Sequence, residues 1–427
     1  MLKVTQGPVD FGKPNDQPDG KVWRYGIGEP FQIAPRLAGV FVNIRSDYEK
    51  TWDFEAGTDI ILFDDLSNTS QAKIYPVSRN YFEPDPETGE NKEMTKYPVL
   101  GGFIPYGAKR ADGSLHPHAG TGFGVSQVIG YSSIREKIEG PKLLELIQFA
   151  FDGKDLNILS KEMMSKEYVP GLTSAIPDGE DLLFTMSHDD GSSGVTRWKH
   201  CPDGWHMSDY NPVQGAGGTE PSLIRDIDGS FLYNTRKGFD ILVWRSTDLV
   251  NWTQIINAER IVAGTPITLN QAPDGTPYIV SCHHQEMYEH STGGYSFGRE
   301  ILCLWPLNNK RNGLEPGIVV RMPPLEFGAP PSNTFWFVDH PIASTVQLAD
   351  GEWHNVLAYR IMELTEMASI VQIADGEGHN VLTYHFKGLA KKTHDFCIND
   401  IGNPPIQTGC YLEEVISDGP SRATWNF

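Results

Sequence analysis

ASTVQLADGEWHNVLAYR, residues 343–360, is written again 25 residues later as ASIVQIADGEGHNVLTYH, residues 368–385, with 13 of 18 positions identical. Each copy is a short apolar run, an Asp-Gly turn and a second run, which is the grammar of a β-hairpin. A unit used more than once decides the fold class before any motif is read. Weaker copies lie upstream: SAIPDGEDLLFTMSH ending at His188, IRDIDGSFLYNTR ending at Arg236, and LNQAPDGTPYIVSCHH ending at His284. Their turns, Asp178-Gly179, Asp228-Gly229 and Asp274-Gly275, are 50 and 46 residues apart, the length of a four-stranded propeller blade.

Two further β-rich runs follow the first two hairpins, at residues 195–200 and 205–207 and at residues 241–246 and 252–255; one, residues 299–306, follows the third. Residues 37–44, 97–104 and 120–129 supply the earlier blades. The Pro- and Gly-rich stretch 308–333 reads as an inter-blade loop, and residues 134–149 (IREKIEGPKLLELIQF) as a short surface helix broken by Gly-Pro. The two C-terminal copies are too close for full blades; they are truncated blades or two hairpins of one blade. The prediction is an all-β chain, a β-propeller of seven four-stranded blades around a central channel, with residues 1–427 forming one catalytic domain.

Composition narrows the function. A net charge of -20 argues against nucleic acid, which needs a basic stripe. No apolar run approaches the roughly 18 residues of a membrane span, so no membrane partner is expected. No signal peptide opens the sequence; an extracellular or periplasmic location with the signal removed is expected, with a cytoplasmic one as the alternative. Five cysteines form no disulfide framework. The chain is expected to act as a monomer.

The repeat also serves as a ruler. Ten residues beyond the Asp of each Asp-Gly stand His188, His284, Arg360 and His385, and eight beyond it in the remaining repeat stands Arg236. Side chains alternate along a strand, so even offsets share one orientation. Five repeats therefore place a His or Arg where the second strand reaches the far face of the ring; each alone could merely end a strand. A second dense spot is LHPHAGTGFG, residues 115–124, where His116 and His118 flank a proline expected to hold both imidazoles on one side. Arg197, with Lys199, follows His188 across a short loop. A cation there would lower the His188 pKa and keep it neutral, as a general base needs, and Arg197 could clamp a carboxylate. Cys282, His283, His290 and Cys303 are a candidate structural zinc or calcium site; no cofactor is expected for the chemistry. P-loop, HExxH and GxSxG patterns are absent.

WRSTDLVNW (residues 244–252), HPHAGTGFG (116–124), SHDD (187–190) and GGTEPSL (217–223) together resemble the β-propeller polysaccharide lyases, the ulvan and rhamnose-glucuronate lyases, and the related propeller rhamnosidases. The resemblance implies a seven-bladed propeller that cleaves a rhamnose–uronic acid linkage of an anionic polysaccharide by β-elimination. It implies a His or Tyr removing the C5 proton, an Arg neutralising the uronate, and a Tyr or His protonating the leaving oxygen. On this pattern His118 matches the second-blade His, while His188 and Arg197 stand where a Tyr and an Arg are found. Arg236 replaces a second Tyr, and Tyr233 has the opposite strand parity. A second His about twenty residues after the first is missing here. Substrate contacts would come from His116, His284, Arg360 and His385. The alternatives are a propeller glycoside hydrolase using carboxylates among Asp189, Asp190, Glu220 and Glu286, and a non-catalytic sugar-binding propeller.

Overall fold

The computed structural model describes residues 2–4, 9–10, 23–46, 57–66, 72–79, 81–84, 89, 91–131, 143–165, 167–283, 301–321, 335–364, 370–372, 378–380, 396–398 and 409–422. Their strands form six antiparallel blades around one axis. Blade 1 is Trp23–Ala34, Leu37–Ser46, Gly57–Phe63 and Lys73–Arg79. Blade 2 is Asn91–Ile104, Thr121–Tyr131, Leu143–Phe151 and Leu156–Ser165, with Tyr81–Pro84 added beside the first. Blade 3 has a split inner strand, Tyr168–Pro170 and Ile176–Asp178, followed by Asp181–His188, Ser193–Cys201 and Gly204–Pro212. Blade 4 is Thr219–Arg225, Phe231–Arg236, Ile241–Ser246 and Thr253–Ala258. Blade 5 is Thr268–Gln271, Pro277–Cys282, Leu302–Pro306 and Gly317–Arg321. Blade 6 takes Phe335–Gln347, Trp353–Leu364 and Gly409–Ser417 from one end of the chain and Leu2–Val4 from the other.

That last pairing, Leu2↔Ser417 through Val4↔Val415, closes the ring. Closure is visible in the core as well. Six apolar clusters are present among the described residues, one at each blade interface: for example Phe31, Phe41 and Phe103 between blades 1 and 2, and Tyr25, Val40, Val346 and Val356 between blades 6 and 1. Removing both faces of each sheet from water and leaving only short edges is the stabilising logic of radial β repeats.

The propeller prediction holds and the count of seven does not. Both copies of the repeat lie in the span of blade 6. The first forms its two inner strands, with Thr345↔Asn355 in register. The second keeps the same register, Ile370↔Asn380, in a separate two-stranded ribbon inserted before the third strand. One hairpin has been duplicated within a blade, so its repetition added length without adding a blade.

Two local expectations are also corrected. Leu143–Phe151 is a strand, not part of a helix. Leu144 and Leu146 face blade 3, whereas the alternate positions Ile147, Phe149 and Phe151 face blade 1. A strand buried on both faces loses its polar alternation and cannot be told from a buried helix by pattern. Likewise Gly317–Arg321, inside the presumed loop, is the outermost antiparallel strand of blade 5. The Asp-Gly turns are hairpin turns as read: Gly179, Gly229, Gly275 and Gly351 have φ of 67°, 84°, 85° and 87°, where a side chain is disfavoured.

WRSTDLVNW is a structural turn between the outer strands of blade 4. Asp248 accepts the backbone N–H groups of Val250 and Asn251 at 2.9 and 2.8 Å, which together with the Asn251 side chain hold its carboxyl well below the usual range. Trp252 Nε1 donates to Leu249 O at 3.1 Å.

Candidate active site

Every inner strand leads down to a turn at one face, and every second strand returns to the opposite face. Asp181–His188 makes seven steps, so His188 stands about 23 Å from the Asp178-Gly179 turn at roughly 3.3 Å per residue. This separates residues expected to act together. His116 Nε2 lies 3.2 Å from Gly179 O, on the turn face, and its Nδ1 accepts His118 N at 3.2 Å. His116 is 1% exposed and pins the blade 2 loop to the blade 3 turn. His118 stacks on His200 at 4.2 Å and meets Trp205 edge-on, so the two imidazoles of HPH do not form one open pair. Burial, then the charges of His200 and His116, lower the His118 pKa. His116 and His118 thus lie at the face remote from His188.

Arg197 does not flank His188 either. It pairs with Leu183, five residues along the strand, and donates to Asp181 at 2.9 Å and Asp178 at 2.7 Å near the turn. Asp178 is shared with Arg225 at 2.7 Å. Arg197 locks the hairpin and is not aimed at a uronate beside His188. Cys282 and Cys303, adjacent in register, point to opposite faces of blade 5: Cys282 into the core toward blade 6 and Cys303 into the core toward blade 4. They cannot share a metal. His283 has a ring contact with Trp305 at 6.4 Å, and no group of three metal-ligand side chains occurs among the described residues. His284, Glu286, His290 and His385 lie outside the described residues.

The ruler does identify an equivalent position. Tyr168↔His188, Thr219↔Arg236 and Asp339↔Arg360 are cross-strand pairs, and in each the inner-strand partner stands two residues before a proline. The residue between partner and proline is Val169, Glu220 or His340. Five inner strands carry such a dipeptide, Glu29-Pro30, Tyr97-Pro98, Val169-Pro170, Glu220-Pro221 and His340-Pro341, and in blade 5 Thr265-Pro266 stands just before the inner strand Thr268–Gln271. Proline is tolerated there because the inner strand is a sheet edge and needs no N–H on the channel side. Among 30 prolines the dipeptide marks an inner strand only once the strands are placed.

Glu220 and His340 depart from the other dipeptides. Their φ values are 53° and 51°, at bulges between Thr219 and Ser222 and between Asp339 and Ile342. A residue before proline is normally driven into extended conformations, so a left-handed one costs on the order of 1–3 kcal/mol and persists only where neighbours over-determine it. Arg236 does so at Glu220, donating from Nη1 to Oε2 and from Nη2 to Gly264 O of blade 5, both at 2.8 Å. Arg360, 1% exposed, contacts His340 Nδ1 at 3.2 Å.

His188 has acidic neighbours. Its Nε2 lies 3.5 Å from Glu167, and its Nδ1 lies 3.1 Å from Asp190 Oδ1 and 3.2 Å from Asp190 N. The neutral ring accepts from the Asp190 amide; the protonated ring donates to the Asp190 carboxylate. Desolvation pulls its pKa down, but Asp190 and Glu167 outweigh it and the net direction is upward. The expected lowering is therefore reversed: the acidic neighbours favour the protonated ring. Tyr168 and Tyr210 pack around it with ring centres at 5.0 and 6.0 Å, and Tyr210 hydroxyl lies 2.9 Å from Ser192 Oγ. Asp190→Asn is expected to shift the His188 titration to lower pH; histidine NMR resonances followed against pH in both proteins check this.

The blade 3 and blade 4 groups adjoin. Ser193 Oγ donates to Ala216 O at 2.7 Å, and a Cβ on Gly217 would meet Gly191 O at 3.1 Å, so the His188–Ser192 turn abuts the segment that enters Glu220. Thr235 Oγ1 donates to Thr219 O at 3.2 Å. Tyr233, as its parity predicts, faces away and is buried against Trp244 and Trp252. The arrangement places an imidazole with acidic neighbours and a clamped carboxylate in neighbouring blades at one face.

No protein-family model matches the chain, and no curated protein matches it in sequence. Solved structures with a similar chain path include a Trypanosoma rangeli sialidase (13% identity, 88% of this chain and 58% of that one, TM-score 0.46). They also include a Dyadobacter fermentans protein of unknown function (11% identity, 97% and 99%, TM-score 0.48) and the Ruminococcus gnavus intramolecular trans-sialidase (11%, 82% and 91%, TM-score 0.45). The chain spans little more than half the length of the Trypanosoma enzyme. Likeness at this level assigns no chemistry.

Proposed function

We propose that this six-bladed propeller is a carbohydrate-processing enzyme that hydrolyses a glycosidic bond at the face opposite its Asp-Gly turns. The observation that carries the reading is Glu220: an acidic residue in a disfavoured backbone conformation, clamped by Arg236 from the neighbouring strand. Glu220 is the carboxylate that attacks the anomeric carbon or activates water; His188, whose protonated form Asp190 and Glu167 favour, gives its proton to the leaving oxygen. Arg236 positions Glu220 and does not touch the substrate.

A second reading is β-elimination, favoured by one observation: Tyr168 and Tyr210 bracket His188 and bring to that place the phenols whose absence set this sequence apart from the propeller lyases. The two readings differ in product. Purified protein is offered a panel of neutral, rhamnose-containing, uronate-containing and sialylated glycans, and the products are separated by mass. Hydrolysis adds one water per cleavage; elimination adds none and leaves an unsaturated uronate that absorbs in the ultraviolet. Water-adding cleavage supports the hydrolase, an unsaturated product replaces it with the lyase, and bound but uncleaved oligosaccharide would leave a sugar-binding propeller.

A further inference from the structure

A largely apolar cavity of about 360 Å³ lies between blades 2 and 3. Leu144 and Met164 line it from blade 2, and Met186, Trp198 and Met207 from blade 3. Tyr168 and Glu167 line the end nearest His188, whose ring centre is 5.0 Å from that of Tyr168 and whose Nε2 is 3.5 Å from the Glu167 carboxylate. The Glu167 side chain is 71% exposed, so the cavity opens beside His188. Met186 and His188 stand two apart on one strand and share the side of blade 3 that packs on blade 2. Blade 4, which carries Glu220, packs on the other side. The cavity and Glu220 therefore flank His188 from opposite directions.

The lining selects the guest. Protein interiors seldom keep voids larger than a water molecule, and ligand sites begin at about 300 Å³. An apolar cavity of about 150 Å³ already holds benzene, so this one has room for a naphthyl group. A sugar ring would bury its hydroxyls against three thioethers and an indole whose Nε1 already donates to Thr196 Oγ1 at 2.9 Å, which is unfavourable. Methionine side chains are flexible and make favourable sulfur contacts with aromatic rings, and Trp198 and Tyr168 add aromatic surface. Displacement at an anomeric carbon sets the attacking and leaving oxygens on opposite sides of that carbon. With Glu220 on the attacking side and His188 beside the leaving oxygen, the departing group lies toward the cavity.

We propose that this cavity is the aglycone subsite, and that the alcohol released beside His188 is aromatic and not a second sugar. The anomeric C–O bond breaks, the His188 proton passes to the aglycone oxygen, and water supplies hydroxide to the anomeric carbon and a proton back to the ring. The role rests on the hydrolase reading above; occupancy of the cavity by an aromatic alcohol does not. Full-length protein with ¹³C-labelled methionine methyl groups is titrated with naphthylmethanol, the signals of Met164, Met186 and Met207 being identified by their loss in single Met→Leu variants. All three are expected to move; signals unmoved up to the solubility limit of the probe overturn the proposal. Naphthylmethyl and methyl glycosides of the sugar that the protein releases are then compared, since both leaving alcohols are alkyl and alike in acidity. Burial of the rings is expected to raise kcat/KM at least about tenfold for the naphthylmethyl compound. Met164→Trp, which fills the cavity from the blade 2 side, is expected to remove that advantage. Equal kcat/KM for the two glycosides in the wild type also overturns the aglycone role. If the wild type cleaves no glycoside, the hydrolase reading fails and takes that role with it, while the methionine signals still decide whether the cavity holds an aromatic guest.

Discussion

Glu220→Gln is expected to lower kcat about a thousandfold on the glycan that the wild-type protein cleaves, within the range for removing a group that takes part in bond breaking. The substitution is isosteric. The amide oxygen can still accept from Arg236, whose second bond to Gly264 O is untouched, so the bulge and the left-handed backbone are retained. What is removed is the negative charge, and only the transition state should notice. The pair is partly exposed, at 27% for Arg236 and 19% for Glu220, so the stability change should stay within about 1 kcal/mol. Turnover and a denaturant midpoint measured on the same preparation separate the two effects. Wild-type turnover in a stable Glu220→Gln protein would reduce Glu220 to a closer of the bulge. Arg236→Met, which leaves the carboxylate but frees it, is expected to lower kcat less, because it acts only through the position of Glu220.

Arg321→Met is expected to give a large stability loss, and one that depends on pH. Arg321 ends the outer strand of blade 5 and reaches Tyr359 hydroxyl at 2.8 Å and the Glu413 carboxylate of blade 6. Arg321 and Glu413 are 3% and 0% exposed. Burial pushes the Glu413 carboxyl up to about 8, with Arg321 and Tyr359 pulling the other way. The folded protein therefore binds this proton more tightly than the unfolded chain, whose value is near 4.5. Stability from this group is present below about pH 4.5 and is lost as pH rises toward 8, on the order of 1 kcal/mol per pH unit. Above pH 8 the carboxylate is charged and Arg321 is its only described counter-ion. Removing one partner of a buried pair then costs about 3–5 kcal/mol. At pH 5 the carboxyl is neutral and Arg321→Met should cost far less. Urea unfolding of both proteins at pH 5 and pH 8.5 measures the difference. Equal losses at the two values would mean that Glu413 is ionised throughout. Glu413→Gln should abolish the pH-dependent part.

The hairpin grammar was legible residue by residue. Asp-Gly turns with alternating flanks specify a two-strand unit locally, and Gly179, Gly229, Gly275 and Gly351 adopt the positive φ that this reading requires. The equivalence of His188, Arg236 and Arg360 was legible too, because strand parity converts a count from the turn into a pairing position. Their surroundings were not. Arg197 is nine residues from His188 in sequence, yet it answers to Asp178 and Asp181, because antiparallel pairing carries the third strand back toward the turn. His118 and His188 both stand as catalytic candidates in the sequence, but His118 precedes the second strand of blade 2 whereas His188 ends that of blade 3, at opposite faces. Glu29 shows the same limit: it is 2% exposed and accepts only Leu100 N at 2.8 Å among the described residues, so burial holds its carboxyl far above the usual range. Nothing in GEPFQ announces a buried acid with so raised a pKa.

By itself, then, the sequence determined that the chain builds antiparallel hairpins in repeated blades and which strand positions correspond, since both follow from turn chemistry and a period of two. Only the tertiary structure decided that the blades number six, that the duplicated hairpin adds a ribbon instead of a blade, and that Glu220 with Arg236 and His340 with Arg360 are the matched pairs of one face. Ring closure, burial and left-handed strain depend on contacts between residues far apart along the chain, and a local pattern carries no record of them.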